Sequence, residues 1–170
     1  SNAVTYIKNI KYSVEGTEIK PDYIIIDPNL ILSTPKKIAA AAGMDAIAQS
    51  IESLLSKKSN NESVKYSIEA LRYLLPYYEN HINNSNFESA YKMSFGALNA
   101  GRAINISKTT APHAVSYPFT SDHKIDHGHA VAITLTDFLK FNFKNISIAN
   151  LKFDLNDRYK ILFDEFKVKN

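Results

Sequence analysis

Apolar positions along this chain fall into two regimes. From residue 34 onward they recur every three or four residues, as in Val64, Ile68, Leu71, Leu74 and Leu75, which predicts helices that each bury one stripe. Before residue 34 they come in short runs. Tyr6–Val14 is rich in Tyr, Ile and Val and breaks at Glu15-Gly16, and the apolar Tyr-Ile-Ile-Ile run inside Pro21–Pro28 is bounded by prolines. Both predict β-strands. Two or three strands are marginal alone, so they imply the edge of a larger sheet lying outside this sequence.

Capping and breaking residues divide the helical part. Thr34 before Pro35 predicts an N-cap with proline at the first helical position. The helix that follows carries AAAAGMDAIAQSIESLL, with Gly43 as a break or a close-packing point. Asn60 or Asn61 caps a second helix. A third covers Phe87 to about Ile106, where Ala97, Ala100, Gly101 and Ala103 allow a neighbour to approach. Pro112–Tyr117 and Gly128–Phe141 predict two more, and a last one runs from Asn156-Asp157 into Phe166, with Ser85-Asn86 and Asn142–Asn150 as connections. The expected fold is mainly α: residues 34–170 form a helical bundle, preceded by strands in 4–33. Ser1-Asn2-Ala3 resembles the remnant of a cleaved expression tag and is left out of this reading.

Composition narrows the function classes. A chain of 170 residues supports one core. Its net charge of +3 comes from dispersed lysines, with no basic stripe interleaved with aromatics, so a nucleic-acid partner is not expected. There is no cysteine, which excludes disulfides, thiolate ligands and a cysteine nucleophile. No apolar run approaches the roughly 20 residues of a membrane span, and no signal peptide opens the chain, so neither a membrane partner nor export is expected and the setting is cytoplasmic.

Chemistry concentrates in one place. Four of the five histidines lie between residues 110 and 130, and His113 and His127 stand fourteen positions apart. Asp45 and Gln49 share a helix face one turn apart among Ala46, Ile47, Ala48 and Ile51. Alone, such a pair is more often a solvated face than a ligand pair. An inward carboxylate in apolar surroundings needs a counter-charge, and a divalent cation supplies one. A carboxylate with two imidazoles leaves coordination positions open for a substrate. His123 and His129 fit a surface or supporting place equally well.

The segments GMDAIAQSIES (43–53), TTAPHAVSYP (109–118) and DHGHAVAITL (126–135), in this order, resemble the iron-containing (group III) alcohol dehydrogenases, and DPNLILSTP (27–35) resembles that family's hinge. The resemblance spans nearly all of residues 4–170. It implies that Asp45, His113 and His127 hold a divalent metal, iron or zinc. Gln49 stands where the family most often has a fourth, histidine ligand, so its amide oxygen contributes weakly or leaves the place to water. Tyr117 stands near the expected substrate, where many members carry another histidine. INISKTTAPHAVSYP is most similar to the phosphonoacetaldehyde reductase branch, in which Lys108 or Arg102 would meet a substrate anion. The implied activity is hydride exchange between a small alcohol or aldehyde and NAD(P), and a homodimer is the expected assembly. Family members bind the nucleotide with a glycine-rich turn, and the five glycines here (16, 43, 96, 101 and 128) form none. The reading is therefore a fragment: a metal-binding helical domain, truncated at its C-terminus, with the last strands of an absent nucleotide-binding α/β domain. It would be inactive alone, with NAD(P) bound only by the full-length parent. Two competitors remain: a metal-dependent hydrolase using Asp122 or Asp126 as base, and a non-enzymatic helical interaction module.

Overall fold

The computed structural model describes residues 2–7 and 10–167. Strands β1 (Asn2–Ile7) and β2 (Ile10–Glu15) form an antiparallel hairpin in which Ile7 pairs with Ile10 and Asn2 with Glu15. Asn2 and Ala3, set aside in the sequence reading, are thus part of β1. The strand expected over Pro21–Pro28 does not form. Tyr23 and Ile25 are each 90% exposed, and the first regular element here is a 3-10 helix, Pro28–Ile31, capped by the Asp27 carboxylate. An apolar run makes a strand only when a neighbour pairs its backbone, and no described strand lies beside this one.

Six helices follow: α1 (Lys36–Leu55), α2 (Asn61–Asn84), α3 (Phe87–Ser107), α4 (Ala111–Ser121), α5 (His127–Lys144) and α6 (Leu155–Glu165). The N-cap of α1 is Pro35 and not Thr34. Asn60 and Asn86 cap α2 and α3 in matching fashion. Each side-chain oxygen accepts the backbone N–H three residues on, and the serine there, Ser63 or Ser89, accepts the cap's own N–H. The α5 helix runs past the expected Phe141 to Lys144, and a 3-10 turn (Ile146–Ile148) occupies part of the expected connection.

Helix α1 is the centre of the molecule, packing against α2, α3, α5 and α6. Its residues Ala46 to Leu54 are buried on nearly every side, apart from half-buried Gln49. That explains why its sequence shows composition more clearly than periodicity. The core gathers Ile47, Ile51, Leu54, Leu71, Leu74, Met93, Val131 and Leu135. Gly43 is a packing point and not a break, since a Cβ there would lie 2.8 Å from the Tyr78 ring and 2.9 Å from Met93. On α3 the expected contact residues divide. Ala100 and Ala103 are fully buried, whereas Ala97 and Gly101 face outward. Helix α6 closes the bundle through Tyr159 and Leu162, and its Glu165 pairs with Arg72 at 2.8 Å.

Candidate metal centre

Three helices meet where α1 passes the N-termini of α4 and α5. Asp45, Gln49 and Glu52 stand at i, i+4 and i+7 on α1, one stripe of its surface. His113 lies in the first turn of α4, and His127 opens α5. What brings α5 so close is Gly128: a Cβ there would sit 1.8 Å from the Ala41 carbonyl oxygen and 3.0 Å from Asp45 Cβ. Only glycine allows α5 to approach α1 so closely, and this sets His127 beside Asp45.

One ligand atom from each of Asp45, His113 and His127 lies within 4.8 Å of the others. Asp45 Oδ1 is 3.1 Å from His113 Nε2 and 3.8 Å from His127 Nε2. An ion bound tetrahedrally at about 2.0–2.1 Å separates its ligands by about 3.4 Å. The two spacings bracket that value, so this donor set fits a divalent cation. The imidazoles meet edge to face at 5.3 Å, and the Tyr117 ring stacks parallel to His127 at 5.9 Å. Tyr117 reaches this place because it follows His113 by one helical turn. On its open side the centre faces a cleft of about 220 Å³ lined by Ile38, Ala41, Ala42, Asp126 and Gly128.

Gln49 donates its amide N–H to Asp45 Oδ2 at 2.8 Å, so nitrogen, not oxygen, meets the carboxylate. Lys108 pairs with Glu15 of β2, and Arg102 lies over the Tyr66 ring at 5.6 Å. Neither lines the cleft. His123 and His129 are exposed, with the former beside Phe119. Asp126 pairs with Lys37 at 2.9 Å, and exposed Asp122 accepts a hydrogen bond from Ser121.

Glu52 escaped the sequence reading. Only 2% exposed, its Oε1 accepts from Thr110 N (2.8 Å), Thr110 Oγ1 (2.9 Å) and His113 N (3.4 Å), while Oε2 meets His113 Nδ1. Thr110 makes no side-chain cap on α4. Glu52 does that work from another helix, giving the free N–H groups of the first turn an acceptor and its own charge a partner in the helix dipole. The available signal was its place on the Asp45–Gln49 stripe. His113 is clamped between two carboxylates. Burial pulls its pKa down, but hydrogen bonds to Asp45 and Glu52, with their charges, outweigh this and raise it to about 9.

Residues 39–169 match the family described as Fe-containing alcohol dehydrogenase family, C-terminal. The phosphonoacetaldehyde reductase of Streptomyces viridochromogenes is 28% identical over 134 residues, covering 78% of this chain and 34% of the relative. The aldehyde-alcohol dehydrogenase of Clostridium acetobutylicum is also 28% identical over 134 residues, covering 78% of this chain and 16% of the relative. Among solved structures, sulfoacetaldehyde reductase from Bifidobacterium kashiwanohense in complex with NAD+ superposes with a TM-score of 0.80 at 32% identity. That match covers 83% of this chain and 38% of the other. The iron-containing alcohol dehydrogenase of Thermotoga maritima gives 0.77 at 26% identity, covering 92% and 40%. The chain thus spans about a third or less of the curated relatives named here. No described helix is long and apolar enough to cross a membrane.

Proposed function

Because this chain belongs to the Fe-containing alcohol dehydrogenase family, we propose that it is the metal-binding part of an NAD(P)-dependent alcohol dehydrogenase or aldehyde reductase. The single observation that carries the reading is the convergence of Asp45, His113 and His127 from three helices. A divalent ion held there, iron or zinc, supplies Lewis-acid chemistry toward a substrate oxygen. Asp45 provides the anionic ligand, and His113 and His127 the neutral ones. Gln49 enters as the donor that orients Asp45, in line with its 2.8 Å hydrogen bond, rather than as a fourth ligand. Tyr117 stacks on His127 and shapes the space a substrate enters. The nucleotide cradle is assigned to parts of such enzymes outside these 170 residues, and a cytoplasmic homodimer belongs to the same reading.

The substrate class we propose is a short aldehyde bearing an oxyanion, following the similarity to a phosphonoacetaldehyde reductase and a sulfoacetaldehyde reductase. Lys108 and Arg102 remain the candidates for that anion, each already engaged by another side chain. Calorimetric titration with zinc, and anaerobically with ferrous ion, tests the metal centre. One ion should bind per chain, and His127→Ala should abolish binding. Failure of the unmodified chain to bind either ion would overturn the reading. The full-length enzyme, assayed for NAD(P)H oxidation with sulfoacetaldehyde, phosphonoacetaldehyde and propanal, tests the substrate class. Equal kcat/KM on propanal would remove the anion requirement.

A further inference from the structure

Glu52 is the most deeply buried carboxylate of the described chain, and its hydrogen bonds divide unequally between its two oxygens. Oε1 takes three donors from the start of α4, and Oε2 takes one, His113 Nδ1. The far ring nitrogen, Nε2, faces Asp45 and belongs to the ligand cluster. We propose that Glu52 is a positioning residue of the metal centre, keeping a proton on His113 Nδ1 so that the Nε2 lone pair is directed at the cation. The proposal rests on the metal-centre reading above and goes beyond it in assigning a buried group outside the ligand set.

The argument is one of donor and acceptor identity. A neutral imidazole carries one N–H and one lone pair, and the partner of one nitrogen decides which role the other takes. A carboxylate is acceptor-only, so with Glu52 ionised Nδ1 must donate. The same side chain fixes the ring's position, because its other oxygen anchors Thr110 and the His113 backbone N–H. Ring orientation and tautomer are thereby set by one residue on the helix that also carries Asp45. Charge agrees. Two carboxylates, Asp45 and Glu52, facing neutral imidazoles balance a divalent ion, so the buried corner becomes neutral when loaded.

Glu52→Gln separates this role from simple capping. The amide oxygen can keep the three donors at the Oε1 position, which leaves the amide N–H₂ facing Nδ1. Nδ1 must then accept, the proton moves to Nε2, and the lone pair needed by the metal is lost. The full 170-residue chain and its variants are titrated with zinc and with cobalt(II), and thermal unfolding is followed without metal. The expected result is affinity lower by about 10- to 100-fold in Glu52→Gln, with an altered cobalt absorption spectrum and a cooperative metal-free unfolding transition that shows the variant folded. Thr110→Val, which removes one donor to Oε1 and leaves Nδ1 alone, should leave zinc affinity close to that of the unmodified chain. Unchanged zinc affinity in a folded Glu52→Gln overturns the proposal. Absence of binding by the unmodified chain instead overturns the metal-centre reading. Should Glu52→Gln fail to fold, nitrogen NMR of the zinc-loaded unmodified chain decides. A protonated Nδ1 on His113 is expected, and a protonated Nε2 with metal on Nδ1 refutes the assignment.

Discussion

Two imidazoles in this molecule are buried almost equally, His113 at 4% and His81 at 5% exposed, yet their surroundings are opposite in kind. His81 closes the α2–α3 hairpin, where its Nδ1 meets the hydroxyls of Ser85 at 3.2 Å and Ser89 at 3.4 Å. With only neutral partners, burial holds its pKa below the usual histidine value. His113 has a carboxylate at each ring nitrogen, and its pKa is raised to about 9 despite burial. Burial disfavours the charged ring in both places, and the partners decide whether it wins. The hairpin is built for packing, its helix starts closed by two capping boxes and its interface by Gly96 against Leu74. The α1–α4–α5 corner instead concentrates charge, at a cost that a hydrophobic corner of the same shape would avoid. Such a corner makes sense when a cation completes it.

The comparison is broken most severely at Gly128. Gly128→Ala drives a methyl group into the Ala41 carbonyl, a backbone atom that cannot swing aside, so α5 must move away from α1. A loss of about 3 kcal/mol or more is expected in urea unfolding, from overpacking against rigid structure, together with loss of zinc binding as His127 leaves Asp45. Gly101→Ala is the matched control. Its Cβ meets nothing within 4 Å on α3, so a gain of about 0.5–1 kcal/mol is expected from helix propensity. Equal effects at the two glycines would show that the corner is not held by that close approach.

The two histidines should give pH dependences of opposite sign in metal-free protein. His113 has a raised folded pKa, so its contribution is complete below about 6.5 and is lost as pH rises through about 9. Its size is on the order of 3 kcal/mol. His81 has a lowered folded pKa, so its contribution is present above about 6.5 and is lost as pH falls below that value. Unfolding curves of His113→Gln and His81→Gln against the parent chain, from pH 5 to pH 10 (roughly the range bracketing both transitions), read both. The His113 difference should shrink on the alkaline side and the His81 difference on the acid side. A His113 difference independent of pH would mean that the two carboxylates do not clamp the ring as drawn.

How much of this was legible in sequence follows the same division. The α2–α3 hairpin was legible in outline because its signals are local: a capping asparagine at 60 or 61, the Ser85-Asn86 connection before Phe87, and leucine spacing that names the buried face of α2. At the corner Asp45, His113 and His127 were singled out by the resemblance of their three motifs to a known family, and the structure brings them together. Glu52 was not. A glutamate in a helix ordinarily marks the solvated side, and only the arrival of α4's first turn, 58 residues later, makes burial tolerable. Pro21–Pro28 failed for the converse reason, since an apolar run looks the same whether or not a neighbouring strand exists to pair it. Long-range partners decide both cases, and local pattern does not contain them.

Gln49 sharpens the comparison more gently. As a donor to Asp45 Oδ2 it would restrain a ligand of the proposed metal centre without being one itself. Gln49→Ala should therefore weaken zinc binding by about tenfold, the low end of what supporting hydrogen bonds contribute. Gln49→His, which brings the imidazole usual at this position, tests the other assignment. If the position is a true ligand site, calorimetry should show tighter binding, and unchanged or weaker binding keeps Gln49 as a support.

The smallest effect is expected where hairpin and corner join. Lys108 ends α3 with φ 62° and ψ 168°, a backbone conformation open mainly to glycine, and from there the chain turns to deliver Thr110 to Glu52. Holding lysine there costs on the order of 1–3 kcal/mol. Lys108→Gly relieves that strain, while giving up the partly exposed, solvent-screened pair with Glu15 and adding about 0.4–1 kcal/mol of unfolded-state entropy. Both losses oppose the strain relief, so the net change in stability is small and tips toward a gain. Zinc affinity should be unchanged, because Thr110 and Glu52 keep their bonds. Unfolding and zinc titration of this one variant measure both. A net loss of stability would show that the Lys108–Glu15 pair, tying the β-hairpin to the helices, outweighs the strain. The same variant in a full-length enzyme tests the anion assignment, since a side chain that meets the substrate's oxyanion would raise KM when removed, and one engaged only with Glu15 would not.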